Sequence, residues 1–250
     1  MQYQRLKLVL TAALGVGLAA GTASAELIYL GTTETLGAGI GNQHTILSFG
    51  SQGSGDMANA AIVRSGGADE ILNDADTGIN GGANNQTRTF GEAGITDASE
   101  FRLIWNLNEP ATGTVTLDAL RVAFYGGPTG SDLLHVAVLD LSACGDPGEP
   151  PCVYEEVLGG IGGAGHVFGL DPVEIGVMNG FVAEDFAAIR VGIGSGDAEF
   201  PSYVSLSGES GGFETFNLAG TALASVPEPT SLLLAGMALV GLTQAVRRRQ

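Results

Sequence analysis

Positive charge is almost missing from this sequence. Its 250 residues hold one lysine, Lys7, and nine arginines. Between Glu26 and Val226 the only cations are Arg64, Arg88, Arg102, Arg121 and Arg190, against 26 carboxylates, a net charge of −21. Nucleic acid and anionic lipid both demand clustered cations, so neither is a partner of this span. Charged residues make up only 15% and apolar ones 44%, a balance that excludes disorder. Histidine is scarce, and His44, His135 and His166 lie far apart. None has a histidine partner at i,i+2 or i,i+4, and no C-x-x-C occurs, so zinc and dithiol chemistry are not indicated. Long helical periodicity and fixed-period repeats are absent as well.

The two ends differ from the body. Arg5 and Lys7 precede an apolar stretch, Leu8 to Ala20, and then Ala23-Ser24-Ala25. A charged segment, an apolar segment and a small-x-small site make a secretory signal peptide over 1–25, cut between Ala25 and Glu26. At the other end, Val226-Pro227-Glu228-Pro229-Thr230-Ser231 forms a turn, Leu232 to Val246 carries no charge, and Arg247-Arg248-Arg249 follows. Prolines so close together forbid helix and leave an extended segment. The 15 apolar residues rise about 22 Å as a helix, short of a ~30 Å hydrocarbon core. A transmembrane helix over 231–246 spans it when the arginines snorkel, and their charge holds that end inside. Residues 26–224 remain as one domain.

The tail, residues 225–250, resembles the PEP-CTERM sorting signal of Gram-negative bacteria. All three parts are present in order: Pro227-Glu228-Pro229, the apolar segment and the arginine cluster. The same module also goes under the name ice-binding protein C-terminal domain. The resemblance implies recognition of Pro227, Glu228 and Pro229 by exosortase, an integral-membrane peptidase. It further implies cleavage near them and delivery to the cell surface or extracellular polysaccharide. It implies no activity for the body.

The body reads as all-β, a β-sandwich or jelly-roll-like single domain, from short runs separated by Gly, Asn, Asp and Ser. Phe101, Leu103, Trp105 and Leu107 place one apolar face on a strand. Val115 and Leu117 fit one register and Leu120, Val122 and Phe124 the other, so a β-bulge is expected near Asp118-Ala119. Leu133 to Leu141 is nearly continuously apolar and predicts a buried central strand. Further strands are expected at 27–31, 44–49, 60–64, 152–158, 166–170, 187–193, 202–206 and 213–218, with a short helix at 179–187. The Gly/Asn/Asp-rich stretch 65–100 predicts a long loop with one or two short strands.

Chemistry-bearing motifs are few. Asp74, Asp76 and Asn80 set oxygen atoms at alternate positions around Gly78, a candidate Ca²⁺ loop that lacks the distal bidentate Glu of an EF-hand. Gly208-Glu209-Ser210-Gly211-Gly212 matches G-x-S-x-G, but no histidine follows residue 166, and it reads as a hairpin turn. Gly160-Ile161-Gly162-Gly163-Ala164-Gly165 matches G-x-G-x-x-G, but a strand pattern follows instead of a helix. Thr112, Thr114 and Thr116 alternate, which is ordinary strand composition. The combined reading is an exported, exosortase-processed, non-enzymatic surface or matrix protein. The alternative is a carbohydrate-binding or adhesive module using Trp105, Tyr125, Tyr154 and Tyr203; a secreted hydrolase ranks below it.

Cys144 and Cys152 flank a Pro/Gly-rich turn in an exported chain and are expected to form a disulfide. Closing a nine-residue loop contributes about 2.5 kcal/mol on the chain-entropy model. Thiol titration of exported, denatured protein is expected to find no free thiol; two would refute the bridge.

Overall fold

The computed structural model describes residues 26–34, 43–51, 57–108, 114–141, 152–155, 164–181, 185–194, 204–208 and 212–220. They form an all-β structure. The first strands are β1 (Glu26–Glu34), β2 (His44–Ser51), β3 (Ala58–Ser65), β4 (Ala68–Asn73), β5 (Thr77–Ile79) and β6 (Arg88–Thr89). Next come β7 (Phe101–Asn106), β8 (Thr114–Ala119), β9 (Arg121–Gly126), β10 (Asp132–Leu139) and β11 (Val153–Glu155). The last are β12 (Ala164–Leu170), β13 (Arg190–Ile193), β14 (Val204–Ser207) and β15 (Glu214–Gly220). Two helices, α1 (Phe90–Ala93) and α2 (Pro172–Asn179), and 3-10 turns at Ala98–Glu100 and Phe186–Ala188 complete the described elements.

Hydrogen bonds join the strands in one path: β11-β8-β14-β3-β13-β9-β10-β1-β12-β7-β15-β2-β5, with β4 on β3 and β6 on β13. The expected sandwich has two separate sheets; here the path is continuous, because β1 pairs in parallel with β10 through Glu26↔Val138 and Leu27↔Leu139. The sheet curls back on itself. Near one edge of the path, β2 packs against β3. At the other edge, Tyr154 of β11 lies 5.1 Å from the Trp105 ring and 5.6 Å from Tyr29.

The apolar face of β7 is as the alternation predicts. Phe101, Leu103, Trp105 and Leu107 all enter the core. Trp105 stacks on Phe216 of the neighbouring strand at 5.6 Å, and Phe216 stacks on Phe49 of the next at 6.1 Å. The expected bulge is present: Ser205↔Ala119 is followed by Leu206↔Leu117, so Asp118 is the extra residue opposite β14. Leu120 then separates β8 from β9, which pair with different neighbours.

Several expectations are corrected. The strand read as buried throughout, β10, buries Ala137 and Leu139 but leaves Leu133 43% exposed. Its first half extends past the start of β1 and pairs only with β9. The stretch 65–100 is more ordered than a loop, holding β4, β5, β6, α1 and a 3-10 turn. Its polar side chains supply the order. Asp69 accepts from Arg64 at 2.9 Å and from the Thr87 hydroxyl at 2.6 Å, and Thr89 caps α1 through Glu92. The helix expected at 179–187 lies earlier, as α2. Asp171 is its N-cap and Pro172 occupies the first turn, the usual start signal. The strand expected from residue 187 begins at Arg190, after a 3-10 turn.

Because Phe216 touches rings on both flanking strands, Phe216→Ala should lower the unfolding free energy by about 3–5 kcal/mol. Urea denaturation showing a loss well under half of that would mean the stack is peripheral.

Candidate functional site

The sorting residues Pro227, Glu228 and Pro229, the segment 231–246 and Ala25 lie outside the described residues. So do Cys144, Tyr203 and Ser210. Their attachment points are described. Glu26 begins β1, and its carbonyl accepts from the Asp171 N–H at 3.2 Å. Gly220 ends β15, seven residues ahead of Pro227. Cys152 sits immediately before β11. Among the described residues, no helix is long and apolar enough to cross a membrane.

The candidate calcium loop is the turn between β4 and β5. Asp74 Oδ2 accepts from the Asn59 side chain at 2.6 Å. Burial pushes the Asp74 carboxyl up. Hydrogen bonds from Thr77, Asn59 and the backbone N–H groups of Asp76 and Thr77 outweigh it and hold the group below its ordinary value. Asn80 turns elsewhere: its Oδ1 accepts from Gly82 N–H at 3.1 Å and its amide donates to Ser48 Oγ at 3.4 Å. Asp74 and Asn80 therefore serve different neighbours, and Asp76 sits exposed in the turn. No group of three His, Cys, Asp or Glu residues among those described is placed to hold a metal.

Three of the four aromatics considered for sugar contact are core residues. Trp105, Tyr125 and Tyr154 are at most 1% exposed, because each sits on an inward or covered strand face. Around Trp105 and Tyr154 the core carries a histidine. His166 Nδ1 lies 3.0 Å from the Tyr29 hydroxyl and Nε2 lies 3.1 Å from the Glu155 carbonyl. The ring therefore bridges β1, β11 and β12. Burial holds its pKa below the ordinary histidine value, despite the Glu155 contact. The same burial raises the Tyr154 and Tyr29 phenols. This arrangement ties three strands together and leaves the imidazole neutral.

A second pair, one buried carboxyl and one half-buried imidazole, is invisible in the sequence pattern. Glu174, on the inner face of α2, is fully buried and its Oε1 meets His135 Nε2 on β10. Burial, reinforced by the Asp171 carboxylate, pushes the Glu174 carboxyl up to about 7. Burial also lowers the His135 pKa. Both shifts favour the neutral forms, so one proton is held between Glu174 Oε1 and His135 Nε2, while Glu174 Oε2 is buried without a hydrogen-bond partner among the described residues. The available signal was Asp171-Pro172 with Glu174 at the third helical position, which marks a helix start but names no partner.

Folded protein keeps the Glu174 proton up to about pH 7, whereas the unfolded chain releases it near 4.5. The stability this proton contributes is complete below pH 4.5 and is lost as pH rises through 7. Relative to Glu174→Gln, the native chain should therefore lose stability across that window in urea titrations at stepped pH. Parallel curves for the two proteins would contradict the assignment.

Residues 225–250 match the family model described as the PEP-CTERM protein-sorting motif. No curated protein and no solved structure matches the chain. The motif implies export in a Gram-negative bacterium and processing by exosortase, a membrane protein. The chain thus carries a PEP-CTERM protein-sorting signal at its C-terminal end.

Proposed function

We propose that this chain is a non-enzymatic surface or matrix protein, anchored in the inner membrane by 231–246 until an exosortase-like peptidase removes the tail. The matched motif at 225–250 carries the reading. The apolar run and the three terminal arginines fit a helix that stops with its basic end inside. The acidic, lysine-free body fits a destination among solvated polysaccharide rather than on anionic lipid or nucleic acid. In this proposal the domain is sandwich-like, serving as a stable body for display. Its buried ionisable side chains join strands and helices: Glu174 to His135, and His166 to Tyr29 and Glu155. A Cys144–Cys152 bridge would staple the turn ahead of β11 in the oxidising exterior.

Replacing Pro227-Glu228-Pro229 by three alanines should leave export intact and abolish tail removal. Full-length protein would then accumulate in the inner-membrane fraction and disappear from the surface, as read by immunoblot of fractionated cells. Unchanged processing and surface delivery would overturn the proposal.

A further inference from the structure

Strand register places several chain ends in one row. Gly220 at the end of β15 is opposite Phe101 at the start of β7, and Leu170 at the end of β12 is opposite Leu27 at the start of β1. The intervening pair, Phe168↔Leu103, shows that β7 and β12 share that end. The described chain thus enters at Glu26 and leaves at Gly220 on the same end of four adjacent strands. Helix α2 covers this end beside the projecting half of β10. It is held by the Asp171 N–H on the Glu26 carbonyl, by Glu174 on His135, and by Asn179 Oδ1 accepting from Ala98 N–H at 3.0 Å. Glu174 and Met178 face inward, while Val173 and Val177, one turn apart, are 51% and 40% exposed.

The tail's length limits which end can meet a membrane. Seven peptide steps separate Gly220 from Pro227, a reach of at most about 25 Å whatever their conformation. Running back along β15 to its far end at Glu214 takes about 20 Å of that. A motif that must lie at the membrane surface is therefore delivered with its reach to spare when the α2 end points there, whereas the far end leaves only about 5 Å of slack.

We infer that the Val173–Val177 face of α2 rests on the lipid bilayer while the tail is inserted, which orients the domain for cleavage. This rests on the proposed sorting function. The contact is apolar: Asp97, Glu100 and Asp171 lie on or beside the elements at this end and disfavour anionic headgroups. Zwitterionic lipid is the matching surface. The far end has its own exposed apolar residue for comparison, Phe213, 42% exposed before β15.

The test uses the chain from Glu26 to Gln250, tail included, reconstituted into phosphatidylcholine vesicles. An environment-sensitive fluorophore is placed at Val177→Cys, at Val173→Cys as a second reporter, or at Phe213→Cys, and is quenched by headgroup spin-labelled lipid. Quenching should be several-fold stronger at positions 173 and 177 than at 213, and should vanish in a chain ending at Val226. Equal or reversed quenching in protein that floats with the vesicles would overturn this orientation alone. Failure to float would overturn it together with the anchoring reading.

Discussion

The stacked rings of Trp105, Phe216 and Phe49 fasten β7, β15 and β2 side by side, and the curled sheet closes around them. Strand pairing alone gives a ribbon with two faces to cover. Large inward rings make curling favourable, because each buried ring removes apolar area from water that a flat sheet would leave exposed. Tyr154 completes the arrangement by bringing the edge strand β11 onto the Trp105 and Phe168 rings. His166 then links that edge strand to β1 through one imidazole.

At the end where the chain enters and leaves, a different device is used. The parallel contact between β1 and β10 is only two residue pairs long, and α2 takes over where it stops. The helix cannot cover β10 with apolar side chains alone, because His135 projects there. Glu174 answers it, and sharing a proton avoids the cost of two buried charges. The polar pair thus fixes the position of a helix whose other face stays exposed.

Local features of the fold were readable from the residues. The alternation from Phe101 to Leu107 places the core face of β7, and the phase change at Asp118 places the bulge, because both depend on neighbours along one strand. The C-terminal motif was readable for the same reason: its parts are adjacent in the chain. Exposure of β10 was not readable. A run of apolar residues says nothing about where a partner strand starts, and β1 starts at Glu26, opposite Val138 near the end of β10. The Glu174–His135 pair was hidden because its members lie on separate elements and meet only after α2 docks. The helix expected at 179–187 lies earlier, because Asp171 caps the chain at the Glu174 N–H and Pro172 opens the first turn. In 65–100, a polar composition suggested a loop, whereas Asp69, Thr87 and Thr89 use their polar groups to build strands and a cap.

The position of β1 bears on the order in which the fold can close. Its strand is first in the domain, yet its two neighbours, β10 and β12, begin more than a hundred residues later. A chain emerging N-terminus first presents β1 with nothing to pair with until most of the polypeptide has followed. Contacts so distant in the chain form slowly, so the sheet path stays open at its centre until β10 and β12 are both available to β1.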